Sequence, residues 1–259
     1  MSFTLGGIST ANLDGVTAVL EQWPSLGGHT VQNSEVTGKD GRFYHDSNRT
    51  ASRFVYDVII EGNTPEQAAQ RRDAFVRFLD PAKGPRSLVL DADAGWVYLE
   101  VLVADEITWD RMTWEPGLGF RLRGEVTLET QGDAEARELD PTVLTTAGEL
   151  TYTHELGTTS AYPTISITTA SSHSSYEIQI GSHTVTVDRF SNWTENHRLV
   201  LNYEDMAFYL ERTSSGERLA SAVRHMSTYQ RPALHQGQTY TVQVSPQRPL
   251  RFYPNARRA

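Results

Sequence analysis

Between Thr164 and Tyr253 the chain breaks into seven short runs: TISIT (164–168), YEIQI (176–180), HTVTVD (183–188), HRLVLNY (197–203), MAFYLE (206–211), TYTVQV (239–244) and PLRFY (249–253). Apolar and polar residues tend to alternate within them, and Gly, Ser, Asn or Pro separates them, which is the pattern of strands with one buried face. Seven such strands within about 100 residues predict a β-sandwich or a small jelly roll.

The first half reads differently. FVYDVIIE, from Phe54 to Glu61, puts Phe54, Tyr56, Val58 and Ile60 on one face and Asp57 and Glu61 on the other, a half-buried strand. Thr64-Pro65-Glu66-Gln67 then offers an N-cap, a Pro at the first helical position and a capping box. Ala68, Arg72, Phe75, Val76 and Leu79 follow at helical spacing until Asp80-Pro81, so a single helix is predicted over 65–79. SLVLD (87–91) and WVYLEVLVA (96–104) flank a Gly-bearing turn and predict a hairpin. From Phe120 to Glu129, Phe120, Leu122, Val126 and Leu128 oppose Arg121, Arg123, Glu125 and Glu129, an antiparallel strand with a wet side. The fold class is therefore mostly β with one helix.

Charge divides the 259 residues unevenly. Residues 1–143 hold 23 acidic and 13 basic residues, a balance of −10, while residues 144–259 hold 9 and 10, a balance of +1. The polar stretch from Gln131 to Pro141 lies between, so we expect an N-terminal domain over 1–143 and a C-terminal sandwich over 144–259. The acidic half disfavours nucleic-acid binding, which depends on cations that displace counterions. No apolar run approaches the length of a membrane span, and the N-terminus lacks the basic and apolar regions of a signal peptide. The absence of Cys excludes disulfides, thiol catalysis and thiolate metal centres.

No catalytic motif emerges. Asp91-Ala-Asp93-Ala-Gly95 starts like a calcium loop, but the closing position holds Leu102, and a hairpin turn accounts for it better. The eight His residues never occur as His-x-x-x-His, so we expect neither a metal nor a cofactor. Gly6-Gly7 and Gly27-Gly28 are not set between a strand and a helix as a phosphate cradle would be. Trp96, Tyr98, Trp109 and Trp114 fit core or interface packing better than a sugar-stacking platform. Asn48-Arg-Thr50 and Asn192-Trp-Thr194 match the glycosylation sequon, which without a secretion signal is read as chance.

HELGTTSAYPTISI (154–167), IQIGSHTVTVD (178–188), RLVLNYEDMAFYLE (198–211), YQRPALHQGQTYTVQV (229–244) and PLRFYPNARR (249–258) follow in an order that resembles the distal tail (Dit) proteins of long non-contractile-tailed bacteriophages. Gly157, Thr158, Ala161, Tyr162 and Pro163 match that family's opening motif of the C-terminal domain, and Pro232, Leu234 and Gly237 match a later turn. In the first half, Gly38-Lys-Asp-Gly41, the strand opened by Arg53-Phe54, the capped helix, the strand pair and the segment from Trp114 to Leu128 agree in layout. Two positions depart from the family pattern: Asn202 stands where an Asp is common, and Gln238-Thr239 follows the turn glycine in place of Asn.

The resemblance implies a structural protein of the virion tail tip, assembled in the host cytoplasm, without catalysis. Its N-terminal domain would form a hexameric ring between the tail tube protein and the tail-tip hub protein. Its galectin-like C-terminal sandwich would project as a spacer or as a platform for a receptor-binding protein. An acidic ring lumen would let genome DNA pass without holding it. The competing reading is a carbohydrate-binding module or glycan hydrolase, with Trp193, Tyr203 and Tyr209 as candidate contacts.

Overall fold

A computed structural model describes residues 2–23, 29–35, 42–49, 51–132 and 134–258, with the backbone alone given for 29–35 and 42–49. Gly27-Gly28 and Gly38-Lys-Asp-Gly41 lie outside the described residues. The chain divides into two compact units, with the change at Leu139/Asp140.

The N-terminal unit is organised by one long ladder. Strand β6 (Arg53–Gly62) pairs antiparallel with β10 (Gly119–Thr130) through ten consecutive partners, from Arg53↔Glu129 to Gly62↔Phe120. In this register Phe54, Tyr56 and Ile60 stand beside Leu128, Val126 and Leu122, and all six are buried. Asp57 and Glu61 stand beside Glu125 and Arg121 on the other face. The alternation read from the sequence is therefore the division between core and solvent.

Around this ladder, strands β1 (Phe3–Leu5), β2 (Ile8–Ser9), β3 (Val16–Gln22), β7 (Arg86–Leu90) and β8 (Trp96–Val103) complete the order β2-β1-β7-β8-β10-β6-β3. β9 (Trp109–Glu115) pairs β10, and β11 (Ala136–Glu138) pairs β8. Between β3 and β6, β4 (His29–Glu35) and β5 (Arg42–Arg49) form a two-stranded sheet of their own.

The helix α1 spans Pro65–Leu79, as expected. Its Thr64 hydroxyl accepts from the Gln67 amide at 3.1 Å, and the Gln67 side chain accepts from the Asn63 amide at 2.7 Å, which satisfies two otherwise orphan donors. Ala68, Phe75, Phe78 and Leu79 are buried against the ladder, whereas Val76 is 44% exposed. Val76 lies about 100° around the helix from Phe75, outside the stripe that Phe78 and Leu79 continue. Among the described residues no helix is long and apolar enough to cross a membrane.

The C-terminal unit is a sandwich of two antiparallel sheets. One has the order β12 (Leu144–Thr146), β21 (Leu250–Tyr253), β14 (Thr164–Thr168), β17 (His197–Asn202), β18 (Ala207–Arg212) and β19 (Arg218–Ser221). The other runs β13 (Glu149–Thr153), β20 (Thr239–Ser245), β15 (Ser175–Ile180), β16 (His183–Asp188). Each of the seven anticipated strands is present, and the inward residues Ile165, Ile178, Val185, Leu199, Leu210 and Val244 belong to one core cluster.

At the edge of that core, the His183 ring meets Tyr203 edge-on, with centroids 5.9 Å apart. Burial pushes its pKa below the ordinary 6.5, while a hydrogen bond with Gln230 opposes the shift. The folded state thus prefers the neutral ring, a preference fully expressed above the unfolded pKa and lost as pH falls below it. The melting temperature of wild type should therefore drop more between pH 7 and pH 5 than that of His183→Gln, as scanning calorimetry at both pH values would show; parallel profiles would exclude this contribution.

Candidate functional site

Two motifs separated in sequence meet in the C-terminal unit. Ala161 and Leu234 form an isolated antiparallel bridge, with reciprocal amide-to-carbonyl hydrogen bonds of 3.0 and 2.8 Å, and both side chains are fully buried. The turn after Leu234 is held on the strand before it: Gly237, at φ +78°, donates its amide to the His154 carbonyl at 2.8 Å, and the His154 amide donates to Gln238. Pro232 is buried.

The last described segment closes the same place. Gly157 adopts φ +90°, and a Cβ there would lie 2.3 Å from the Arg257 carbonyl oxygen. Thr158 donates its amide to that oxygen at 2.9 Å. Only glycine satisfies both the backbone angle and the close approach. Tyr162 lies under the Arg231 guanidinium, whose carbon is 3.4 Å from the ring centroid, with Arg257 at 5.8 Å. Arg231 also donates to the carbonyls of Tyr203 and Glu204 at 2.7 Å each, and Asn255 donates to the Tyr162 carbonyl at 2.9 Å. Pro163 offers its carbonyl to the Tyr203 amide at 3.1 Å. Arg257 pairs with Glu204 at 3.2 Å, their side chains only 9% and 11% exposed. Seven of the eight motif residues, all but the buried Pro232, thus serve one knot of backbone and cation contacts that fastens the chain's late segments to the segment leading into β14.

The aromatic candidates fare differently. Trp193 is fully buried and stacked on Tyr176 at 5.0 Å, and Tyr203 is fully buried with Phe208 edge-on at 5.3 Å. A ring that stacks a sugar needs an open face, so the expectation of ligand contact is corrected for these two: they are core residues. Tyr209 alone reaches the surface, on the outer side of β18, with the Arg218 guanidinium carbon 4.1 Å from its ring centroid. In the N-terminal unit Tyr98 is buried, and Trp96, Trp109 and Trp114 pack partly buried against the core.

The wet face of the β6–β10 ladder is the second feature. Glu21, Asp57, Asp105, Glu106, Asp110 and Glu125 surround a cleft of about 460 Å³ in which Arg123 is the one basic lining residue. Arg123 donates to Asp57 at 2.8 Å, and the surrounding carboxylates, Asp57 first, raise its pKa further. Among the described residues no group of three or more His, Asp or Glu is arranged to hold a metal ion.

Residues 13–117, about two-fifths of the chain, match the family described as phage tail protein RIFT-related domain. That match lies within the N-terminal unit. Over nearly its full length the chain shares its fold with the Dit protein of phage SPP1: the TM-score is 0.72 at 14% identity, covering 99% of this chain and 98% of that one. The resemblance seen in the sequence is borne out by the tail-protein domain match and by the shared fold. The phage P2 baseplate in its activated conformation with Ca also aligns, over 100% of this chain and 98% of that one, but at a TM-score of 0.44 and 10% identity it adds no argument. Among curated proteins none matches the sequence.

Gly157→Ala is expected to destabilise the chain by more than about 2 kcal/mol, since left-handed backbone strain adds to a collision with a main-chain oxygen. Urea unfolding would measure it; a loss below about 0.5 kcal/mol would show that the segment at Arg257 shifts freely.

Proposed function

We propose that this chain is a structural component of a siphophage tail tip. Its N-terminal units close into a ring, hexameric as the resemblance implies, between the tail tube and the tip hub. The C-terminal sandwich serves as a spacer or as a platform for receptor-binding proteins. The observation that carries this reading is the full-length fold match to SPP1 Dit, a protein described as a paradigm of the hub adsorption apparatus in phages that infect Gram-positive bacteria.

Two physical features support it. The β4–β5 ribbon hydrogen-bonds within its own two strands, and an isolated two-stranded ribbon is at best marginally stable in water. A neighbouring subunit would supply the missing support. The acidic cleft supports a channel role, because carboxylates gathered on one face repel a passing polyanion. No reaction is assigned. The sugar-binding alternative retains only Tyr209 of its three aromatic candidates at the surface.

Light scattering should give six times the chain mass for the purified protein, or six copies of the chain once the partners' masses are subtracted from a complex with the neighbouring tail proteins; a stable dimer that cannot join a tail tube would overturn the ring. The triple substitution Glu106→Lys, Asp110→Lys, Glu125→Lys should raise duplex DNA retention at low salt by at least tenfold, with steep salt dependence. Tight binding by wild type in the same filter assay would overturn the channel role.

A further inference from the structure

The N-terminal unit carries an apolar hollow and an apolar protrusion. The hollow, about 380 Å³, lies where the end of α1 meets the connection from β8 to β9, and its apolar lining is Val76, Leu79, Pro81, Val103, Ile107 and Trp109. Its floor depends on a glycine: a Cβ at Gly124 would lie 2.8 Å from the Trp109 ring, so the indole settles on the β10 backbone because Gly124 stands opposite. Arg77, Asp80 and Asp105 are its charged members.

The protrusion is the turn between β9 and β10. Leu118 at that turn is 65% exposed, the highest value among the large apolar residues whose side chains are described, and Met112 in the same hairpin is 52% exposed. Met112 falls at a register shift in the β9–β10 pairing, with Thr113 opposite Arg121 and Arg111 opposite Leu122.

These two features cannot satisfy each other within one chain. β9 leaves the hollow at Trp109 and stays paired to β10 up to Glu115↔Gly119. Six residue steps of extended strand hold the turn about 20 Å from the hollow. Leu118 therefore stands at the far end of the ribbon from the hollow, with Met112 about midway between. A second copy supplies both complements at once, and contact between two unlike patches propagates head to tail, closing into a ring when the rotation permits.

We propose that Leu118 and Met112 of one copy seat in the Val76–Trp109 hollow of the next, forming an intersubunit contact of the ring. This inference rests on the ring reading above. Charge agrees with it, since Arg111 next to Met112 brings a cation toward Asp80, while Asp105 is already paired with Arg53 at 3.0 Å.

The chain has no Cys, so a cross-link can be introduced without background. The full-length double variant Leu118→Cys/Val76→Cys, mildly oxidised, should give a reducible ladder of oligomers on a non-reducing gel, because a disulfide needs Cα atoms within about 7 Å. Each single variant should stop at or below the dimer. Separately, Leu118→Asp should weaken assembly at least tenfold with an unchanged melting temperature, whereas Val19→Asp, at another exposed apolar site (42%), should not. A double variant that reaches the wild-type oligomeric mass in light scattering yet gives no ladder overturns this contact and leaves the ring standing. A dimer band from either single variant as strong as that of the double variant would mean a symmetric contact and also overturn it. Wild type that stays monomeric even with its neighbours, with no ladder, overturns the contact and the ring together.

Discussion

The ten-residue ladder between β6 and β10 is the constraint on which the N-terminal unit depends. One register decides which residues become core and which become the acidic face. A slip of one residue would turn Phe54, Tyr56, Val58 and Ile60 outward and bring Asp57 and Glu61 in, so apolar burial fixes the pairing strongly. The helix lies on the apolar side because Phe75, Phe78 and Leu79 need that surface. On the other side Arg53, Arg121 and Arg123 pair with Glu129, Glu61 and Asp57, at 2.8 to 2.9 Å. These pairs are largely exposed and add little stability singly. Their effect is to organise a face on which carboxylates outnumber bases.

The C-terminal unit solves a different problem. A sandwich of short strands has many connections, and each must return to the core. Here the segments around Gly157, Leu234 and Arg257 converge, joined by main-chain hydrogen bonds and by Arg231, which links the face of Tyr162 to two carbonyls. An arginine suits that place because its planar group stacks and donates in several directions at once. The mostly buried Arg257–Glu204 pair is a matter of placement as much as of energy, since desolvation offsets much of its attraction.

Much of this architecture was legible in the sequence. The helix announced itself through Thr64, Pro65 and Gln67, and the long strands through alternation, because in both cases a buried stripe imposes a period. β9, β13 and β19 left no such trace: WDRMTWE, ELTYT and RLAS are exposed or half-buried along their length, so no core selected a pattern. The knot at Gly157 was visible only as two motifs, since nothing local links Ala161 to Leu234. The aromatic residues misled for a physical reason: Trp193 and Tyr203 suit a core and a ligand platform equally, and only packing distinguishes the two. Val76 misled likewise, because a valine one residue off the buried stripe still satisfies a loose helical count.

The β4–β5 ribbon has a kinetic consequence. Its seven- and eight-residue strands find their registered partners in each other and, among the described residues, in no third strand. Backbone amides in such a ribbon are guarded only by the ribbon's own opening equilibrium, whereas those of β6 and β10 open at a cost that approaches global unfolding. Deuterium uptake along one chain should therefore span the full range of timescales, with fast exchange in the ribbon beside slow exchange in the ladder that flanks it. Where a neighbouring subunit covers the ribbon, that contrast would collapse, and the amides of this segment would serve as an internal clock for assembly.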